Sequence, residues 1–145
     1  MALTIPDHIA ALRAYLLSAA NADAGTEGRI YGAEVPQSEH ANMPRRAILL
    51  RDAGGYVLPG SQVDIEIGDP RVDILCYGAT PFEAKAVWRA VHPHMRRLNR
   101  EVWSQTLLHW ARQGGGPNGG IDADTKWPFI LSSYQVLASE VVVTS

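Results

Sequence analysis

The chain has 145 residues, 46% of them apolar, which is the size and composition of one globular domain. Its net charge of −2 argues against a general nucleic-acid binder, and its single cysteine, Cys76, excludes an intramolecular disulfide and a cysteine-based zinc finger. Neither a signal peptide nor a membrane helix of ~18 apolar residues is apparent, so we expect a soluble protein of a reducing compartment that does not contact a membrane. Charged residues make up only 19%, below the usual ~25%, and a surface poor in charge is often covered by partners.

The N-terminal part of the chain predicts a helix followed by two short strands. Residues 4–18 carry apolar side chains at steps of three and four, and Thr4 is placed to cap this helix. The strands are predicted at 29–32 and 47–51, and the second is expected to end at Gly54 and Gly55.

Residues 56–60 read as an extended excursion, and a strand follows it. Apolar and acidic side chains alternate from residue 63 to residue 76, which is the period of a half-buried strand. The interruption at 68–70 fits either a tight hairpin turn or a bulge in one long, bent strand, and the second interpretation is favoured.

A second helix is predicted to begin at Pro81, because Thr80 can cap it and Glu83 is placed for a capping box. Pro93 is expected to end or kink this helix, with residues 94–100 as a second helical piece. Its apolar side is predicted to hold five residues: Phe82, Ala86, Val87, Ala90 and Val91.

The C-terminal part predicts two strands, over 102–110 and 127–143, on either side of a glycine-rich segment. Residues 113–120 contain five glycines and a proline, which predicts a flexible loop. Helices and strands in this order predict an α+β fold in a single domain over 1–145. We expect a two-layer sandwich, in which two main helices pack on one face of a mainly antiparallel sheet.

The candidate catalytic residues give little support to an enzyme. His92 and His94 would lie on different faces of a continuous helix, and only an extended segment would let them share a metal. No third ligand follows at a typical spacing. Cys76 lies in a predicted strand, where a cysteine is usually a small apolar residue rather than a nucleophile. We therefore expect no catalytic residue, no metal and no cofactor.

Charge is sorted along the chain. Residues 52–83 hold six acidic side chains against one arginine, whereas 85–112 hold six basic side chains against one glutamate. Such patches can remain solvated, pair copies of the chain head to tail in a ring, or contact DNA. If the second helix continued through Pro93, four basic residues would share one face. The candidate interface residues are Asp64, Glu66, Asp69, Lys85, Arg89, Arg96 and Arg100.

Three segments, in this order, resemble the tail-terminator (tail-completion) proteins of long-tailed bacteriophages and related gene-transfer particles. The first is 28–32, after the N-terminal helix. The second is 70–92, which spans the strand with Cys76 and the start of the second helix. The third is 127–136, after the glycine-rich segment. Together they span most of the chain.

The resemblance implies an α/β sandwich and a structural role without catalysis. Proteins of this family form a hexameric ring that caps the tail tube, stops its polymerisation and joins it to the head-side connector, while genomic DNA passes through the lumen. The chain would then be a virion protein assembled in the host cytoplasm. Its partners would be further copies of itself, the tail tube protein, the connector protein and, transiently, DNA.

The resemblance also marks residues 56–69 as an extended arm relative to the more compact members of the family. Its candidate contact residues are Tyr56, Val57, Leu58 and Val63. Three alternatives remain open: a head-completion or neck adaptor protein of the same particle, a small enzyme using the histidines or Cys76, and a small DNA-binding module using the basic residues of 85–112.

Overall fold

The computed structural model describes residues 7–57 and 67–140, with side chains over 7–54 and 70–139. It contains three α-helices, a 3₁₀ helix and six strands. The helices are α1 (His8–Ala19), α2 (Asn21–Ala24) and α3 (Pro81–Arg97), and the 3₁₀ helix spans Gln37–Asn42. The strands are β1 (Ile30–Gly32), β2 (Ala47–Val57), β3 (Ile67–Tyr77), β4 (Asn99–Trp103), β5 (Thr106–Ile121) and β6 (Pro128–Glu140).

All six strands form one sheet in the order β1-β2-β3-β6-β5-β4. The pair β1–β2 is parallel, and the other four pairs are antiparallel. One face of the sheet, the helix-covered face, packs against α1 and α3 in a shared apolar core. The predicted α+β class, with a mainly antiparallel sheet and two main helices, is therefore confirmed.

Side chains alternate between the two faces of the sheet along its central strands. Ile48, Leu50 and Ile74 join the core under the helices, together with Tyr134 and Val136 of β6. The intervening residues form a smaller apolar cluster on the second face, beneath the segment that holds the 3₁₀ helix. This cluster consists of Val35, Ala47, Leu49, Leu75, Tyr77 and Trp127. The sheet is thus apolar on both faces. Among the described residues, α-helices pack on one face, and the segment with the 3₁₀ helix lies over the other.

The start of α1 differs from the prediction. The Asp7 carboxylate accepts a hydrogen bond from the backbone N–H of Ala10 at 3.0 Å, so Asp7 is the N-cap of α1. The predicted cap, Thr4, lies outside the described residues.

Two strands run through glycine-containing segments that were expected to interrupt them. β2 continues beyond Gly54, which has a φ of +102°, by means of a register shift between Asp52 and Gly55. β3 passes straight through 68–70, so the favoured single strand is confirmed over 67–76 and the alternative of a hairpin turn at 68–70 is wrong.

The ends of the predicted arm, 56–69, belong to paired strands. β2 and β3 remain antiparallel partners as far as Val57 and Gly68. The rest of the arm, residues 58–66, lies outside the described residues.

Helix α3 continues past Pro93 to Arg97, so of the two expected outcomes, an end or a kink at Pro93, the end is wrong. Proline at 93 removes the hydrogen bond to the carbonyl of residue 89. Arg89 lies on the exposed side of α3, where water can satisfy that carbonyl, while Val91 and Met95 anchor both sides of the proline in the core. The second helical piece, predicted over 94–100, reaches only Arg97.

The glycine-rich segment 113–120 is part of strand β5 and not a loop. It pairs with β6 from Gln113↔Tyr134 to Gly120↔Phe129, with register shifts on the way. A Cβ on Gly120 would lie 2.9 Å from the Phe129 ring, so glycine allows the two strands to pair under that ring. Because β4 pairs with β5 only as far as Trp110, the rest of β5 forms an edge of the sheet.

The strand predicted over 102–110 is two strands. β4 and β5 form a hairpin with Ser104 and Gln105 in its turn, both with positive φ (47° and 59°). Two such residues define the type I′ turn that fits the twist of a hairpin.

The junction between β3 and α3 provides a test of the packing. A Cβ on the buried Gly78 would overlap the backbone nitrogen of Ala84, so we expect Gly78→Ala to destabilise the fold by about 1–3 kcal/mol. The matched control is Gly114→Ala in β5, where the nearest atom, Nη2 of Arg71, would be 3.7 Å from the new Cβ. Urea unfolding measures both; similar midpoints for the two variants would contradict the expectation.

Candidate assembly surfaces

Three of the four basic residues predicted to share a helix face do so. Lys85, Arg89 and Arg96 are exposed on α3, and their spacings of four and seven residues place them on one side. We call this set the basic stripe. Arg100 is exposed but lies on β4, so it is not part of the stripe. Because Lys85 and these three arginines lie on the surface, solvation by water alone also accounts for their exposure.

The acidic and apolar candidates of the arm fall into two groups, by whether their backbone is described. Asp69 lies on β3 opposite Tyr56 of β2, and Val57 is opposite Gly68, but their side chains are outside the described set. Four further candidates lie wholly outside the described residues: Leu58, Val63, Asp64 and Glu66.

Phe82 extends the basic stripe with an exposed aromatic ring. It lies in the first turn of α3, seven residues before Arg89, and is 88% exposed. The prediction that Phe82 belongs to the apolar side of the helix is therefore wrong. The side that α3 buries consists of Ala84, Val87, Val91 and Met95. Phe82 is five residues before Val87, or ~140° around the helix, which could have identified it as exposed.

A polar cleft of about 460 Å³ lies between α3 and β5. It is lined by His92, Arg96, Ala111, Arg112 and Gln113. The Arg112 guanidinium lies 4.7 Å from the centre of the Trp110 ring, in cation–π geometry. The fixed positive charge of the cleft therefore comes from two arginines, one on each element.

His92 is held in this cleft by aromatic neighbours. Its ring stacks on Trp88 with centroids 4.9 Å apart, and its Nδ1 lies 2.7 Å from the Tyr134 hydroxyl oxygen. Burial, and then the charge of Arg96, lower the pKa of His92. Burial also raises the pKa of Tyr134 to about 12. Both shifts favour the neutral form of the group.

The second face of the sheet carries a pocket of about 250 Å³. Trp127 is its central ring: Tyr77 and His40 both meet it edge to face, with centroid distances of 5.7 and 5.1 Å. We call it the aromatic pocket. Apolar side chains of Val35 and Leu49 add to its lining, and the exposed, charged residues at its rim are Glu34 and Arg51. This pocket could not be predicted from the sequence, because its residues come from four separate segments.

The residues considered for catalysis are engaged elsewhere. Cys76 is fully buried, and burial raises the pKa of its thiol well above the usual range. His94 faces away from His92, with its Nε2 2.9 Å from a carboxylate oxygen of Asp23. Within 7–57 and 67–140, no group of three or more histidine, cysteine or acidic side chains is placed to hold a metal ion. No helix there is long and apolar enough to cross a membrane.

The chain matches no protein-family model and no curated protein. Among solved structures it is similar to a chain of one described as "Virion of native gene transfer agent (GTA) particle". The TM-score is 0.56 at 18% sequence identity, and the match covers 90% of this chain and 93% of the other. The protein therefore shares its fold, over almost its whole length, with one chain of that particle.

The environment of His92 provides a second test. Because Arg96 contributes to lowering the pKa of His92, Arg96→Gln should move that pKa up toward its usual value of 6.5. NMR titration of the imidazole protons measures it. Lys85→Gln, which removes the same charge about three turns earlier on the stripe, is the control and should leave the pKa in place. An unchanged pKa in Arg96→Gln would show that Arg96 does not face the ring.

Proposed function

We propose that the protein is a structural virion protein of the tail-terminator kind. Copies of it would form a hexameric ring that caps the tail tube, stops its polymerisation and joins it to the head-side connector, with DNA passing through the lumen. The observation that carries this proposal is the fold shared, over nearly the full length of both chains, with a component of a gene transfer agent virion. The three sequence segments that resemble tail terminators support the same role.

The arrangement of the surfaces supports assembly into a ring. A ring requires two different surfaces on each subunit, so that every copy contacts the next in the same direction. The protein has two such surfaces on opposite sides of the sheet. The basic stripe with Phe82 belongs to the helix layer, and the aromatic pocket opens on the second face.

The same proposal includes the absence of catalysis. The burial of Cys76 keeps its thiol from reacting, and three histidines are in polar contacts with other side chains: His92 with Tyr134, His94 with Asp23 and His109 with Ser139. On this proposal the protein is located in the tail or neck of the virion, after assembly in the host cytoplasm, and its partners there are the tail tube and connector proteins.

Charge reversal on the stripe tests this function. We expect the double variant Arg89→Glu/Arg96→Glu to lose capping, because a subunit or tube surface that matches two arginines will repel two glutamates. Electron microscopy of purified tail tubes incubated with the protein would count the tube ends that carry a ring. The wild-type protein should cap most ends, and the variant should cap at least roughly tenfold fewer, the equivalent of ~1.4 kcal/mol.

The matched control is Arg97→Glu/Arg100→Glu, which changes the net charge equally at exposed positions off the stripe. It should cap as the wild type does. Equal capping by both double variants would contradict a role for the stripe. A wild-type protein that forms no ring, even with tubes present, would overturn the proposed function. Binding of that protein to DNA with a steep salt dependence would point instead to a DNA-binding module.

A further inference from the structure

The exposed ring of Phe82 is placed rigidly. Thr80 caps α3 by accepting a hydrogen bond from the Glu83 backbone N–H at 3.2 Å, and Pro81 occupies the first helical turn. Val91 and Met95 anchor the same helix in the core. A phenylalanine ring held in water on such a fixed support is a candidate contact residue, since aromatic side chains are enriched at the core of protein interfaces.

The aromatic pocket has the size and lining to take one aromatic side chain. Its volume of about 250 Å³ is below the ~300–1,000 Å³ of pockets that hold drug-sized ligands. Tyr77 and Trp127 are 6% and 8% exposed, so their rings form its walls rather than project from it. Aromatic rings favour further rings in edge-to-face or offset contact, which this lining offers.

We propose that Phe82 of one copy inserts into the aromatic pocket of the neighbouring copy. The two features lie in opposite layers of the molecule, since α3 packs on the helix-covered face and the pocket opens on the second face. One chain therefore presents the ring to one neighbour and the pocket to the other. Such a contact is heterologous and repeats in one direction. It supplies the subunit contact of the ring and in that respect rests on the proposed function.

One pair of opposite charges can form between the two surfaces. Lys85 is exposed one turn after Phe82 on the same side of α3. Glu34 is exposed at the rim of the pocket and takes part in no ion pair within the described parts of the chain. When Phe82 enters the pocket, Lys85 reaches the rim, where it can pair with Glu34. Arg51, the second exposed charged residue of the lining, repels Lys85, so the pairing with Glu34 also favours one orientation of the inserted helix.

Cross-linking between two single variants tests the contact directly. Lys85→Cys and Glu34→Cys each retain Phe82, and the buried thiol of Cys76 does not react. Mixed under mild oxidation, the two proteins should form a covalent heterodimer on a non-reducing gel, whereas either protein alone should form little. Mass spectrometry of the dimer would identify the disulfide between positions 85 and 34.

The dependence on Phe82 is measured in the same assay. Phe82→Ala in the Lys85→Cys protein should lower the dimer yield at least roughly tenfold, as expected for an aromatic anchor at an interface. The control is Val102→Ala in the same protein, which removes another exposed apolar side chain, on β4, and should leave the yield unchanged. Circular dichroism would show that both variants are folded.

Two results would overturn the proposed contact: no mixed dimer, or a dimer that forms equally well without Phe82. Electron microscopy of the wild-type protein separates this outcome from the function. If the wild-type protein forms rings but the mixed dimer does not form, the proposed function stands and the contact through Phe82 is excluded. A dimer that depends on Phe82 in a protein that never forms rings would support the contact and overturn the proposed function.

Discussion

Both faces of the central strands are apolar, and the rest of the structure follows from how each face is covered. Alternation along β2 sends Ile48 and Leu50 to one side and Leu49 to the other, so neither side can remain open to water. Helices α1 and α3 pack on the first side. Within the described parts of the chain, the second side is covered by the segment with the 3₁₀ helix and by Trp127, and the aromatic pocket lies there.

This unequal cover gives the molecule two sides of different chemistry. The helix layer presents rigidly mounted charges and one aromatic ring, whereas the second face presents a concave aromatic site. A protein with equivalent sides would favour two-fold pairing, in which the same patch meets itself. Here the unlike sides favour contacts that repeat in one direction, which is the geometry that a ring needs. The difference between the two sides of the molecule therefore supports the proposed ring more directly than the net charge of the chain does.

The sequence predicted those parts of the fold in which local signals and burial agree. Thr80 and Pro81 mark the start of α3, and dense β-branched and aromatic residues mark β6. Prediction failed where packing overrides local preference. Glycines in β5 carry no side-chain alternation, so strand pairing could not be inferred from them. Pro93 is tolerated because its neighbours are anchored in the core. Only one of the two surfaces could be predicted from the sequence. Helical spacing predicted the basic stripe, whereas the aromatic pocket forms only when segments distant in the sequence come together in the fold.

The outer part of β5 has a consequence for how copies of this protein meet. Beyond Trp110 no strand among residues 7–57 and 67–140 pairs with its outer side, and a free sheet edge is a common starting point for aggregation. Register shifts and Pro117, which lacks an N–H group, break the even row of donors and acceptors along it. The edge is therefore a poor template for another strand. An irregular edge of this kind disfavours strand-to-strand pairing of two copies along β5, in line with a subunit contact made by side chains.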